Sequence, residues 1–401
     1  MKDIVLITNY WHFESEKASS RYYTLANMLV EQNLEVEVIT SDFYHATKSH
    51  RKYDEEFLES YPYKISLIHE GGYSKNISIR RIISHREFAK NVMRYLKKRK
   101  KPDVIYCVVP SLDVAYSVTQ YANKNKIRVI VDIQDLWPEA YRMAIDIPIV
   151  SDILFLPMQY KANKIYAAAD QIVAVSNTYV KRGLEVNKKC HTGVSAYLGI
   201  ELEKFDELIN LSKSIAKPEN EIWIAYIGTL GHSYVIPTII EALKVVKTKK
   251  DICAKFVVMG NGPLKEEFER VAEESEIYFE FTGTLSYAEM VGVLAQCDIA
   301  VNPIRSNSAA SIINKVGDYA AAGLPVINTQ ESEEYIQILN EYEAGFNCKN
   351  SNIEDIAEKI MLLCKDRGLR EYMGNNSRKL AEEKFDRKHT YINIINTIMN
   401  D

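Results

Sequence analysis

The feature that most constrains the fold is an end-to-end alternation of short apolar runs with segments of helical period. IVLIT (4–8) leads into a polar turn and then SSRYYTLANMLVEQ (19–32), where Tyr22, Leu25, Ala26 and Leu29 fall on one helical face, before VEVIT (36–40). Runs that are apolar at consecutive positions read as strands buried on both sheet faces. Joined by helices, such strands form parallel sheets through right-handed crossovers. Further strands are read at VIYCVV (104–109), VIVDI (129–133) and QIVAVS (171–176). AYLGIELEKF (196–205) closes this series, and the polar LINLSKSIAKPENE (208–221) reads as a linker. A second series runs through IWIAYIGTLG (222–231), AKFVVMG (254–260), IYFEFTG (277–283), DIAVNPI (298–304) and LPVINT (324–329).

The expected fold class is therefore α/β, with two Rossmann-like doubly wound domains and an active-site cleft between them. The expected domains are 1–205 and 206–384, with the amphipathic helix at 385–401 crossing back to the first. At 401 residues, 47% hydrophobic and 26% charged, the chain is long enough for two buried cores. A formal net charge of −4 gives no general attraction for nucleic acid, so no nucleic-acid partner is expected. Six cysteines (Cys107, Cys190, Cys253, Cys297, Cys348, Cys364) show no CxxC pair and no zinc-like spacing with histidine, so neither a disulfide nor a metal is expected. Met1-Lys2-Asp3 passes directly into a strand without a secretory signal pattern, which points to a cytoplasmic protein. The run IPIVSDILFLPM (147–158) is too short to cross a bilayer.

In doubly wound sheets, ligands bind at the carboxyl ends of strands. In the second half those ends read YIGTLGHS (226–233), MGNGP (259–263), FTGTLS (281–286) and VNPIRSNSAASIINKVGDYAAAGLPVI (301–327). Glycine at such places lets the backbone approach a phosphate, although a tight turn explains any single one equally well.

These segments resemble the retaining GT-B glycosyltransferases of family 4, whose signature P-x-K-x-x-E-Y-x-A-x-G-x-P-V-I stands here as INKVGDYAAAGLPVI (313–327). LEVEVIT (34–40), LGIELEKF (198–205), the GxGP loop at 260–263 and FxGxL at 281–285 extend the resemblance over nearly the whole chain. It implies a nucleotide-diphosphate sugar donor, with UDP-sugar expected, bound by the second domain without a metal or other cofactor. Lys315 would meet donor phosphate, and Asp318 stands where the family has a Glu that holds ribose hydroxyls. The candidate donor set is completed by Gly228, Thr229, Gly231, His232, Gly260, Asn261, Gly262, Thr284, Leu285, Arg305, Ser311 and Asn314. A solvated helix face is the plainer reading of Lys315 and Asp318. The chain departs from the family at Ala310, in place of an earlier Glu, and at 228–233, which lacks the family's Arg and Lys. Arg305, Lys315, His232 and the helix dipole are the available counter-charges.

In the first half, VIVDIQDLWPEAY (129–141) delivers Asp132, Asp135 and Glu139 to a strand end beside Trp137. A carboxylate there can accept a proton from an acceptor hydroxyl, and an indole face stacks on a sugar ring. Asp135 also fits the cap of a helix beginning near Trp137. The D-L-W-P-E string resembles a subgroup of bacterial capsule and O-antigen transferases, including N-acetyl-fucosamine transferases. Asp135 is the catalytic candidate with Lys315, and Ser20, Arg21, Trp137 and Glu139 are the acceptor-side candidates. The basic segment 80–102 reads as a sheet-covering helix or, with 147–158, as a peripheral membrane contact. The whole is expected to be a retaining glycosyltransferase acting on a lipid-linked saccharide acceptor in bacterial capsule, O-antigen or exopolysaccharide synthesis, at the inner face of the membrane. A GT-B-fold nucleotide-sugar epimerase and a catalytically silent partner subunit are the alternatives.

Overall fold

The computed structural model describes residues 1–16, 21–76, 78–140, 150–211, 217–249, 252–306 and 311–400. The chain forms two compact units, Met1–Tyr197 with Tyr391–Asp401, and Leu198–Thr390.

The first unit is built on seven strands: β1 (Asp3–Thr8), β2 (Glu35–Ser41), β5 (Lys64–Ile68), β6 (Val104–Val109), β7 (Arg128–Ile133), β8 (Gln171–Ala174) and β9 (Val194–Ser195). They lie in the order β5-β2-β1-β6-β7-β8-β9, and all pair in parallel. β3 (Phe43–Tyr44) and β4 (Ser49–His50) make a separate antiparallel hairpin. Every residue of β1 and β6 is buried, as runs of consecutive apolar residues require in a sheet covered on both faces. The helix Arg21–Glu31 buries Tyr22, Leu25, Ala26 and Leu29, the face expected from their spacing. The same core takes in Tyr391, Ile394, Ile395 and Ile398 from the C-terminal segment.

The second unit has β10 (Glu221–Ile227), β11 (Cys253–Met259), β12 (Tyr278–Gly283), β13 (Ile299–Asn302), β14 (Val326–Asn328) and β15 (Gly345–Asn347), in the order β12-β11-β10-β13-β14-β15. All its pairs are parallel. Both sheets grow outward in both directions from their first strand, which is the Rossmann arrangement. The order reverses between β1 and β6 and again between β10 and β13, and in such sheets these are the places where crevices open.

The division between units falls at Tyr197/Leu198, ahead of the expected 205/206. Leu202 and Phe205 are buried, the helix Leu202–Leu211 packs on the helix Tyr287–Leu294, and both oxygens of Asp206 accept from Arg378 at 2.7 Å. Part of the stretch read as a linker is thus helix. It carries enough apolar surface to dock on the second core. Among the described residues no helix is long and apolar enough to cross a membrane.

Candidate functional site

At the switch point of the second unit, the end of β10 passes into the loop 228–233 and the end of β11 into 260–263. The loops touch backbone to backbone. Gly228 N donates to Met259 O at 2.9 Å, Leu230 N to Asn261 O at 2.9 Å, and Leu264 N to Leu230 O at 3.1 Å. A Cβ on Gly260 would fall 1.8 Å from Gly228 O, and one on Gly262 2.2 Å from Leu230 O. Glycine at 260 and 262 therefore answers to this loop-on-loop packing, a reason different from the phosphate approach read in the sequence. Gly228, at φ 121°, and Thr229 remain exposed, as do His232 and Asn261, while Gly231 is buried.

The helix Lys315–Ala321 is fixed to both sides of the switch point by Tyr319. Its hydroxyl accepts from Ile227 N at 2.9 Å and donates to Val301 O at 3.1 Å. This places Lys315 beside Gly228, where an added Cβ would stand 3.1 Å from Nζ. Lys315 is buried, contrary to the solvated-helix reading, and its Nζ lies 4.0 Å from the ring centroids of both Tyr226 and Tyr234. Nζ has no hydrogen-bond partner among the described residues. Burial pushes the ammonium well below its ordinary pKa, while the two ring faces attract a cation. A buried ammonium with three unused donors is arranged to take an anion.

Asp318, one turn further on, is partly buried and its Oδ1 accepts from the Tyr287 hydroxyl at 2.9 Å. Burial pushes its carboxyl up to about 6, against the opposing pull of the Tyr287 hydrogen bond and Arg387. Around these two, Thr284 and Arg305 are exposed and Leu285 and Ser311 half-buried. Arg305 N donates to Ser233 O at 3.0 Å, and Ser311 O accepts from Gln330 Nε2 at 2.7 Å. Asn314 is exposed and makes no side-chain cap for the helix. Ala310 lies outside the described residues.

Sequence reasoning missed three parts of this site: the Tyr226–Tyr234 corner around Lys315, the Tyr287 partner of Asp318, and a ladder of side-chain amides across three strands. Asn302, Asn328 and Asn347 sit in register on β13, β14 and β15. Asn302 Nδ2 donates to Asn328 Oδ1 at 2.9 Å and Asn328 Nδ2 to Asn347 Oδ1 at 2.8 Å. An asparagine closing each of three strand-like runs (VNP, VINT, GFN) was the available signal.

In the first unit the geometry corrects two acceptor-side expectations. Arg21 is a core residue. Its Nε donates to Asp132 Oδ2 at 3.1 Å and its Nη1 to Ala196 O at 2.7 Å, beneath the Tyr391 ring at 4.9 Å. Burial, the largest single influence, would weaken its charge, but Asp132 together with the Tyr391, Tyr106 and Tyr22 oxygens outweighs it and holds the guanidinium charged. Asp132 in turn accepts from the Tyr106 hydroxyl at 2.8 Å and Gln134 Nε2 at 2.8 Å. Trp137 is only 8% exposed. Its ring lies parallel to His85, with centroids 6.1 Å apart, and Arg81 stands 4.9 Å from its centroid, so no open indole face awaits a sugar. Asp135 Oδ2 accepts from the Trp137 indole N–H at 3.0 Å, and burial raises its carboxyl. Glu139 Oε1 accepts from Arg182 Nε at 2.7 Å. Ser20 lies outside the described residues.

Two Rossmann-like sheets of one strand order, the second carrying a buried cation and a carboxylate at its switch point, give the chain the GT-B fold. Residues 209–380, within the second unit, match the family model of the glycosyl transferases, group 1. CapM of Staphylococcus aureus, a capsular polysaccharide biosynthesis glycosyltransferase, is 22% identical over 89% of this chain and 87% of its own length. A sulfoquinovosyl transferase of Arabidopsis thaliana is 27% identical over 47% of the chain and 36% of its own. The chain spans 36%, 57% and 62% of three of the curated relatives it matches. The crystal structure of Anabaena HepE in complex with UDP superposes with a TM-score of 0.67 at 11% identity, covering 99% of both chains, which is a likeness of fold.

Proposed function

We propose that the protein is a retaining transferase that moves a sugar from a UDP-sugar to a lipid-linked saccharide in capsule, O-antigen or exopolysaccharide synthesis. The observation that carries this reading is Lys315, a buried ammonium without a hydrogen-bond partner among the described residues, held beside the exposed Gly228 loop. Donor diphosphate supplies the missing acceptors, and Asp318 accepts hydrogen bonds from ribose hydroxyls. Gly228, Thr229, His232, Asn261, Thr284, Leu285, Arg305, Ser311 and Asn314 border the donor. In transfer, the bond from the anomeric carbon to the diphosphate breaks, a bond to the acceptor oxygen forms, and UDP leaves with its charge stabilised by Lys315. Asp135 receives the acceptor's hydroxyl proton. No metal is assigned to the reaction.

A membrane-side acceptor is supported by the helices Ile79–Lys98 and Val150–Ala168. The first buries Phe88, Val92 and Leu96 as a sheet-covering helix does, yet exposes Ile79, Ile82 and Ile83 among its cations. The second exposes Ile153, Leu154, Leu156 and Tyr160. Residues 147–149 of the expected contact lie outside the described residues. Apolar side chains ringed by Lys and Arg fit an anionic leaflet.

The test is a donor screen that measures nucleotide-diphosphate release with and without membrane lipid extract. Release from a UDP-sugar that rises with extract supports the proposal. Consumption of donor without any acceptor favours an epimerase, and no turnover under either condition favours a silent partner subunit.

A further inference from the structure

Asp42, His50 and His69 follow no metal-ligand spacing in sequence, but the fold brings them together at the C-terminal edge of the first sheet. β2 and β5 are parallel neighbours with Ser41 opposite Ile68, so the next residue on each, Asp42 and His69, leave the sheet side by side. The β3–β4 hairpin folds over this edge, with Arg51 N donating to Asp42 O at 2.6 Å, and presents His50, its last residue. One ligand atom from each of the three side chains lies within 4.8 Å of the other two. His69 Nδ1 is 2.9 Å from Asp42 Oδ2, and His50 Nε2 is 3.9 Å from Asp42 Oδ1. Ligands about 2.0 Å from a tetrahedral ion stand about 3.3 Å apart, between these two separations.

A hydrogen bond and a nearby carboxylate surround the cluster. Asp42 Oδ1 accepts from Glu70 N at 2.8 Å, which fixes the carboxylate, and the far nitrogen of His69, Nε2, stands 3.8 Å from Glu87 Oε1. A carboxylate on the outer nitrogen orients a ligating imidazole and strengthens it as a donor. All three side chains are open to solvent, so an ion has an entry path.

We propose that Asp42, His50 and His69 form a binding site for a divalent transition ion of the zinc class, with water completing the tetrahedron. Two imidazoles and one carboxylate select zinc, copper or nickel over calcium or magnesium, which require six or more oxygens. His50 Nε2 is 2.7 Å from Glu70 O and His69 Nδ1 2.9 Å from Asp42 Oδ2, so binding exchanges both hydrogen bonds for the ion through shifts of exposed side chains. The ion ties the β3–β4 hairpin to the ends of β2 and β5. Its effect is on the stability of this edge.

The experiment is calorimetric titration of the chelator-treated full chain with ZnCl2 under reducing conditions, paired with melting curves at rising zinc. One saturable equivalent per chain and a melting temperature that rises with zinc are expected. His50→Ala and His69→Ala should each weaken binding at least tenfold while the zinc-free melting temperature stays at the wild-type value, and Glu87→Gln should weaken it less. A thousandfold excess of Mg²⁺ should not displace the ion. Cys253 is exposed and could take zinc by itself, but it remains in these variants. Absence of saturable binding, or undiminished affinity in the His50→Ala/His69→Ala double variant, overturns the proposal.

Discussion

Lys315 Nζ lies as close to the Tyr234 ring as to the Tyr226 ring, 4.0 Å from each centroid, so the charge proposed to meet the donor is held by two aromatic faces. The rings hold the cation without using its N–H donors, which stay available. Lys315→Ala should lower kcat/KM for the donor by about ten- to a hundredfold, the scale of one charge-assisted bond. Tyr234→Phe keeps the ring face and should keep activity, while Tyr234→Leu should approach the Lys315→Ala value. Steady-state kinetics on the three variants check this, and wild-type kinetics in Lys315→Ala would remove Lys315 from the site.

The raised carboxyl of Asp318 predicts a pH dependence of stability. Its pKa is about 6 in the folded chain against an ordinary 3.8. Between these values the folded chain holds a proton that the unfolded chain has released, so this group lowers stability as pH rises through the window. Above about 6 the cost is fully present. Asn does not titrate and can still accept from Tyr287. The melting temperature of Asp318→Asn should therefore equal wild type near pH 4 and exceed it at pH 7.5, and the opposite trend would show that Asp318 is not destabilised by burial.

Asp135→Asn separates a proton acceptor from a purely structural carboxylate. An Asn oxygen can still accept from the Trp137 indole or serve as a helix cap, so the fold and UDP binding should persist. Transfer to acceptor should fall about a hundredfold or more, as expected for loss of a general base. Melting temperature, UDP titration and transfer assay on one preparation decide the matter. Full transfer by a stable Asn variant leaves only the structural role.

Arg21→Met should leave Asp132 buried without its counter-charge and destabilise the first unit by about 3–5 kcal/mol. Adding Asp132→Asn should recover part of that loss, because the two residues are directly bonded. Denaturant unfolding of the single and double variants gives the coupling. A single variant within about 0.5 kcal/mol of wild type, the range of an ordinary surface change, would mean the pair is not a core pin.

The strand ladder was legible in the sequence because consecutive apolar residues in VIYCVV or IWIAYI leave a strand no solvated face, and burial on both sides forces a parallel sheet under helices. The helical face of Tyr22, Leu25, Ala26 and Leu29 was legible for the same reason of local period. Short edge strands such as β9 and β15 left no such pattern, since two or three residues carry no period. Side-chain placement at the site belongs to the tertiary structure. A lysine near the start of a helix is solvated in most settings, and here it is buried only because Tyr319 draws its helix onto the ends of β10 and β13. Arg21 follows the same logic in reverse, a residue that looked available for ligand but spends its donors on Asp132 and main-chain carbonyls. The sequence by itself determined the two layered sheets and the loops where a ligand can bind, because burial and period act within a few residues. Which charges face outward and which are consumed in the core was decided by contacts between distant segments, such as Arg21 and Tyr391, 370 positions apart, and no local pattern encodes these.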